Sequence, residues 1–80
     1  MRLPRDIGGE ELARLLIRYG YMVTRQTGSH IRLTTQREGE HHLTIPAHTD
    51  LRLGTLNSIL QEVSRHIKKD KNDLIQELWP

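Results

Sequence analysis

The chain has 80 residues, of which 35% are hydrophobic and 28% are charged, and it contains no cysteine. This length allows one small domain, and the lack of cysteine excludes disulfide bonds and thiolate metal sites. No apolar run approaches the roughly 18 residues of a membrane span, and the first residues lack the apolar stretch of a signal peptide. The sequence therefore predicts a single soluble, cytoplasmic domain over residues 1–80.

Charge is unevenly distributed along the chain. Residues 1–37 carry seven arginines and three carboxylates, whereas residues 38–80 carry five basic and seven acidic side chains. The basic half uses arginine alone, and the planar guanidinium matches phosphate geometry better than an ammonium group does. This distribution favours a polyanionic partner, but a mixed and well-hydrated surface explains it equally well.

The first predicted element is an amphipathic helix over residues 9–19. Its apolar side chains recur at helical spacing, namely Leu12, Leu15, Leu16 and Tyr19. The glycines Gly8 and Gly9 suit the start of a helix, and Gly20 stands where a helix ends.

Three strands follow, over residues 21–26, 30–35 and 41–45, with Pro46 ending the last. The connections 27–29 and 36–40 are short, so the strands form an antiparallel meander. In the second and third strands apolar residues alternate with polar ones. One face of the sheet is therefore apolar and the other, termed the open face, is polar.

Two helices complete the chain. The longer one begins at about Gly54 and carries an apolar stripe, and the shorter one follows Asp70, which is a suitable N-cap. Both amphipathic helices must cover the apolar face of the sheet. The predicted fold class is α+β, an α-β-β-β-α two-layer sandwich with its core over about residues 8–67 and a helical extension over about residues 70–78.

The open face is where the sequence predicts function. Strand alternation places the following polar side chains there: Thr24, His30, Arg32, Thr34, His42 and Thr44. Antiparallel pairing sets His42 opposite Arg32 or Thr34, which predicts His42 within roughly 7–11 Å of His30. Imidazole exchanges protons near neutral pH and guanidinium stabilises charge on phosphoryl oxygens, so this face suits a phosphodiester.

Each of these residues also has a purely structural interpretation. A histidine such as His30 on a strand is more often an ordinary surface residue, and Arg32 is most often a solvated charge. His41 shares the parity of the inward-facing residues, which favours half-buried packing. His48 lies in a proline-containing loop and fits a turn as well as a site.

The histidines do not follow a metal-binding pattern. His41 and His42 are adjacent, so they point to opposite faces of a strand. No carboxylate stands at the spacing of a known metal motif, and no nucleotide-binding glycine motif is present. The sequence therefore predicts neither a metal nor a cofactor.

Three blocks of sequence add a more specific signal. They are GYMVTRQTGSH over residues 20–30, IPAH over residues 45–48 and DLRLGTLNSIL over residues 50–60. In this order they resemble the HicA family of toxin–antitoxin mRNA interferases, over about residues 10–65. The resemblance implies a fold like that of double-stranded-RNA-binding domains, which agrees with the predicted element order.

The resemblance also implies an activity and a partner. It implies an RNA-cleaving toxin neutralised by a HicB-type antitoxin. The favoured hypothesis is a metal-independent endoribonuclease that forms a homodimer or a toxin–antitoxin hetero-oligomer. The catalytic histidine of the family falls on His30, and Gly28 and Ser29 shape the turn before it. Glycine at position 28 permits a backbone geometry or a close approach that a Cβ would block. The expected RNA contacts are Arg25, Arg32, His42 and His48, and His42 or His48 is the candidate second proton-transfer group.

Two other functions remain open from the sequence. One is a non-catalytic RNA-binding module that uses the open face for shape and phosphate contacts. The other is a protein-interaction domain whose ligand is the antitoxin. Binding alone does not require the sequence Gly28-Ser29-His30, which is the feature that separates the nuclease from both.

Overall fold

The predicted order of helices and strands is confirmed in a computed structural model that describes residues 3–80. The elements are α1 (Gly9–Leu16, continued by a 3-10 turn, Ile17–Tyr19), β1 (Met22–Gln26), β2 (His30–Thr35), β3 (His41–Pro46), α2 (Leu53–Ile67) and α3 (Lys71–Leu78). The strands form one antiparallel sheet in the order β1-β2-β3, as the α+β prediction requires. Met1 and Arg2, which belong to the predicted domain 1–80, lie outside the described residues.

Helix α1 ends at the predicted glycine. Gly20 has φ of 90°, in the left-handed region that a residue with a side chain rarely adopts. The backbone N–H of Tyr21 then donates to the carbonyl of Leu16 instead of to the sheet. Strand β1 therefore starts at Met22, one residue later than predicted.

Helix α1 begins in direct backbone contact with the end of β3. A β-carbon on Gly9 would overlap the carbonyl oxygen of Pro46. The backbone N–H of Gly9 donates to the carbonyl of His48 at 2.9 Å. Glycine at position 9 thus lets the helix approach the strand end that pairs with His30.

The apolar face of the sheet and the helices share one hydrophobic core. Sheet residues Ile31, Leu33 and Ile45 are at most 1% exposed. The buried helix residues that share this core include Leu12, Leu16, Leu56, Leu60 and Val63. The alternation of buried and exposed residues in β2 and β3 is therefore as predicted.

Strand β1 contains a bulge that strict alternation does not reveal. The pairing shifts between Val23 and Arg25, so Thr24 has no cross-strand partner of its own. The Thr24 hydroxyl instead bonds the Thr34 hydroxyl at 2.9 Å. Arg25 pairs with Arg32 and thereby lies on the open face, whereas alternation from a buried Tyr21 would place it on the apolar face.

Helix α3, which forms the predicted C-terminal extension, packs against the hydrophobic core. Asp70 caps it as predicted, because its Oδ1 accepts the backbone N–H groups of Asn72 at 2.8 Å and Asp73 at 3.2 Å. Three of its side chains are buried, namely Leu74, Ile75 and Leu78. Residues 70–78 are thus a structural part of the fold.

Glu77 joins α3 to the end of the first helix. Its carboxylate accepts a hydrogen bond from the Tyr19 hydroxyl at 2.6 Å and pairs with the Lys69 ammonium at 2.6 Å. The hydrogen bonds from Lys69 and then Tyr19 hold the pKa of Glu77 below its ordinary value. Burial and the Glu77 hydrogen bond raise the pKa of Tyr19, so that its hydroxyl stays protonated and donates.

Removing the buried side chain of Leu74 tests whether α3 belongs to the cooperative core. Leu74 is 0% exposed, so Leu74→Ala should lower the free energy of unfolding by about 2–5 kcal/mol, as measured by urea denaturation. Gln76→Ala, at an exposed position of the same helix, should change it by less than about 0.5 kcal/mol. Equal stability of the two variants would contradict this packing.

The lowered pKa of Glu77 predicts how stability depends on pH. A carboxylate whose pKa is lower in the folded state stabilises the fold above its unfolded pKa, and this is lost as pH falls through the folded pKa. We therefore expect Glu77→Gln to be less stable than the unmodified protein at neutral pH, with the difference shrinking as pH falls below the ordinary value of 4.5. Urea denaturation across this range measures it, and a difference independent of pH would contradict it.

Candidate nucleic-acid interface

His30 is the first residue of β2 and follows a turn that Thr27 fixes. The backbone N–H of Thr27 donates to the carbonyl of His30 at 2.9 Å. In return, the Thr27 Oγ1 accepts the backbone N–H groups of Ser29 at 3.3 Å and His30 at 3.1 Å. A threonine oxygen that accepts two successive N–H groups holds a tight turn in one conformation.

The imidazole of His30 is exposed and is oriented from one side. A hydrogen bond of 3.0 Å joins the Ser29 hydroxyl to Nδ1, and within residues 3–80 Nε2 makes none. Ser29 therefore fixes the ring through one nitrogen and leaves the other for a substrate. This arrangement suits general acid–base chemistry, for which histidine is the most common side chain.

The turn itself does not require glycine at position 28. Gly28 is not among the residues with positive φ, and no atom of residues 3–80 lies within 4 Å of where its Cβ would be. No atom of the protein itself would block a Cβ at position 28, so that part of the prediction is wrong. The remaining explanation for glycine at this position is the close approach of a ligand beside His30.

Two arginines face each other across β1 and β2. Arg25 and Arg32 are direct cross-strand partners, and neither makes an ion pair with a carboxylate of residues 3–80. Like charges directly opposite one another destabilise a sheet. Arg32 is two residues along β2 from His30 on the same face, a distance of about 7 Å. The arginines thus place positive charge on the same face as His30 at a cost in stability, and they share a depression with Glu40 and His42.

His42 does not lie close to His30. Its cross-strand partner is Thr34, whereas the partner of His30 is Pro46, four residues further along β3. At about 3.3 Å per residue the two rows are about 13 Å apart, which exceeds the predicted 7–11 Å. The prediction that His42 neighbours His30 is wrong, because the register places them toward opposite ends of the sheet.

His42 belongs to a hydrogen-bonded chain of its own on the open face. Its Nε2 lies 2.9 Å from the Glu40 carboxylate and its Nδ1 lies 2.8 Å from the Thr34 hydroxyl, which in turn bonds Thr24. The hydrogen bond from His42 is the largest of the interactions that lower the pKa of Glu40. Sequence analysis missed Glu40, because it precedes the strand and alternation does not place it on either face.

His48 lies in the loop after β3, next to the His30 turn. The ladder continues one residue past the strand, where the Ala47 N–H donates to the carbonyl of Ser29 at 2.9 Å. His48 is the next residue, and its carbonyl is bound to α1 by the Gly9 N–H. Its side chain is exposed. The main chain of His48 is therefore fixed near the turn that carries His30.

His30 also lines a groove of about 460 Å³ between the edge of the sheet and α2, termed the His30 groove. The side chains that line it include His30, Thr44 and Pro46 from the sheet and Thr55, Ser58 and Glu62 from α2. Sequence analysis missed the residues from α2. The available signal was the run of small residues Gly54, Thr55 and Ser58 on the polar face of this amphipathic helix.

Glu62, which lines the α2 side of this groove, is positioned by a chain of hydrogen bonds through His41. Burial raises the pKa of Tyr21 to about 12, so its hydroxyl remains protonated and donates to Nδ1 of His41 at 2.8 Å. Nε2 of His41 then donates to the Glu62 carboxylate at 3.1 Å. His66 stacks on the His41 ring, with the ring centroids 4.4 Å apart. The predicted half-buried packing of His41 is confirmed.

Two kinds of feature are absent from residues 3–80, namely a cluster of metal ligands and a membrane-spanning helix. No group of three or more histidine and carboxylate side chains in residues 3–80 is arranged to hold a metal ion. Likewise, none of the helices in this range has both the length and the apolar character needed to cross a bilayer.

The sequence matches a protein-family model over the region that forms this interface. The model is described as the HicA toxin of bacterial toxin–antitoxin systems, and it matches residues 9–64. The chain belongs to the HicA toxin family. It is therefore a toxin of a toxin–antitoxin system, as its three sequence blocks predicted, while helix α3 lies beyond the matched residues. The chain has no match among curated proteins or solved structures.

The arginine pair of this HicA protein allows a test of whether the interface is strained. Arg25→Gln removes one of two opposed charges, so it should raise the free energy of unfolding by about 0.2–1 kcal/mol in low salt. The gain should shrink in high salt, where exposed charges are screened. Urea denaturation of Arg25→Gln, Arg32→Gln and the double variant measures the coupling. A loss of stability on removing either charge would contradict the repulsion.

Proposed function

We propose that this HicA protein is an endoribonuclease toxin that cleaves RNA by acid–base catalysis at His30 without a metal ion. The observation that carries the proposal is the exposed imidazole of His30, oriented by Ser29 and placed about 7 Å from Arg32 along the same strand. A proton-transfer group beside concentrated positive charge is what cleavage of a phosphodiester requires.

The reaction uses the ribose 2′-hydroxyl of the RNA itself. His30 Nε2 takes the proton from this hydroxyl, and the 2′-oxygen forms a bond to phosphorus as the bond to the 5′-oxygen breaks. The leaving 5′-oxygen takes up a proton, and the product is a 2′,3′-cyclic phosphate. Arg32 and Arg25 stabilise the negative charge that develops on the phosphoryl oxygens, a task that metal ions perform in other nucleases.

His48 is the proposed donor of the second proton. The Ala47–Ser29 hydrogen bond holds its loop beside the His30 turn. His42 is further away, and both of its ring nitrogens are engaged by Glu40 and Thr34. His42 therefore takes no part in the proton transfers, and its proposed role is a supporting contact to RNA in the depression that it shares with Arg25 and Arg32.

The proposed partner is a HicB-type antitoxin that covers the open face. The family is that of a toxin with a cognate antitoxin. Exposed apolar side chains offer a contact for a protein, namely Met22 and Val23 on the edge strand β1 and Ile17 at the end of the first helix. An antitoxin that binds there and extends over His30 would block RNA, and the complex would act in the cytoplasm, where mRNA is found.

His30→Gln tests the catalytic role. Because a positioned acid or base contributes about 10²–10⁴-fold, we expect cleavage of a single-stranded RNA to fall by that factor, in buffer containing EDTA. Circular dichroism and melting should be unchanged, since His30 is exposed. Induced expression should arrest growth for the unmodified protein alone, and co-expression of the neighbouring antitoxin gene should relieve the arrest.

Three results would contradict parts of this proposal. Undiminished cleavage by His30→Gln would move the chemistry elsewhere, and loss of cleavage in EDTA would require a metal. Salt-sensitive RNA binding by the unmodified protein with no product would favour the non-catalytic RNA-binding module on the same face.

A further inference from the structure

The His30 groove differs in chemistry from the arginine side of the open face. His30 lines the groove, which extends toward α2, whereas Arg25 and Arg32 line a separate depression on the open face. Its volume of about 460 Å³ lies within the roughly 300–1,000 Å³ of small-ligand sites. Gly54 adds no bulk there, and a Cβ on it would meet no atom of residues 3–80 within 4 Å. The groove is therefore large enough for part of a substrate bound at His30.

The hydroxyl groups of the groove are not used by the fold. Those of Thr44, Thr55 and Ser58 make no hydrogen bond to any group in the described residues. By contrast, the threonine and serine hydroxyls of β1, β2 and the turn between them are engaged, namely those of Thr24, Thr27, Ser29, Thr34 and Thr35. Three hydroxyls directed at one groove beside His30 are thus available to a polar ligand.

The charge and polarity of the groove favour an uncharged ligand over a second phosphate. Pro46 and the largely buried Ile59 provide apolar surface, and Glu62 places a carboxylate at the end held by His41. A carboxylate repels phosphate and accepts hydrogen bonds from amino groups, as it does from the amino group of cytosine. Ribose and base combine hydroxyl groups, an apolar ring and such donors.

We propose that the His30 groove binds the nucleoside on one side of the cleaved phosphodiester, an inference that rests on the proposed function of His30. The scissile phosphate lies at His30, the nucleoside enters the groove beside Thr44 and Ser58, and the RNA backbone on the other side crosses Arg32 and Arg25. Readout of an unstacked base in a groove is the usual way in which proteins recognise single-stranded RNA.

The first test measures binding directly and does not depend on cleavage. Amide NMR signals of the full chain are followed during titration with a ribonucleoside 3′-monophosphate and, separately, with inorganic phosphate. We expect saturable shifts at Thr44, Thr55 and Ser58 with the nucleotide, and shifts confined to the His30 turn and the arginines with phosphate. Equal shifts at Thr44, Thr55 and Ser58 in both titrations would overturn the proposal, because the groove would then bind only an anion.

The second test fills the groove. Ser58→Trp places a large ring in it, whereas Gln61→Trp places the same ring at an exposed position of α2 outside it. Ser58→Trp should lower kcat/KM on single-stranded RNA by about tenfold or more, and should abolish the nucleotide shifts. Gln61→Trp should stay within about twofold of the unmodified protein, as surface substitutions do.

The two tests separate this inference from the proposed function. If the unmodified protein and both tryptophan variants cleave RNA equally, the groove is not used and the inference fails, whereas catalysis at His30 stands. If the unmodified protein cleaves no RNA, the proposed function fails, and the titrations still decide whether the groove binds a nucleoside.

Discussion

The backbone of helix α1 lies directly against the end of strand β3, because Gly9 has no side chain to hold it away from the carbonyl of Pro46. This contact determines how closely the start of the helix packs against the end of the strand. The same strand end pairs with His30, and the next residues bind both the His30 turn and α1 through backbone hydrogen bonds. Gly9 therefore lets the helix layer pack against the same strand end that pairs with the candidate catalytic residue.

The two faces of the sheet have opposite effects on the stability of the fold. Its apolar face packs against α1 and α2 and shares one core with the buried residues of α3. On its other face, Arg25 and Arg32 stand opposite each other, an arrangement that weakens strand pairing. Local arrangements that reduce stability occur mainly at functional sites, where a ligand can compensate for them. The opposed charges are consistent with a phosphate ligand, which would turn their repulsion into attraction.

Sequence periodicity predicted the elements and their arrangement in two layers, but not the exact register of the strands. Strict alternation in β2 and β3 and the Asp70 cap depend on nearest neighbours in the chain, so a single sequence reveals them. Strand parity limited the partner of His42 to Arg32 or Thr34, and the structure selects Thr34. That choice and the bulge at Thr24 depend on how the strands align with each other, which periodicity does not specify. Arg25 was expected among the RNA contacts, but only the bulge explains why it lies on the open face.

The polar residues of the open face divide into two groups according to their hydrogen bonds. At one end, His42, Glu40, Thr34 and Thr24 satisfy one another in a continuous chain. At the other end, Ser29 holds a single nitrogen of His30, and groove hydroxyls such as that of Thr44 find no acceptor or donor among residues 3–80. Polar groups that the fold already satisfies gain little from a ligand, because binding must first break their existing bonds. Chemistry and substrate recognition are therefore expected at the His30 end, and a supporting electrostatic role is expected at the His42 end.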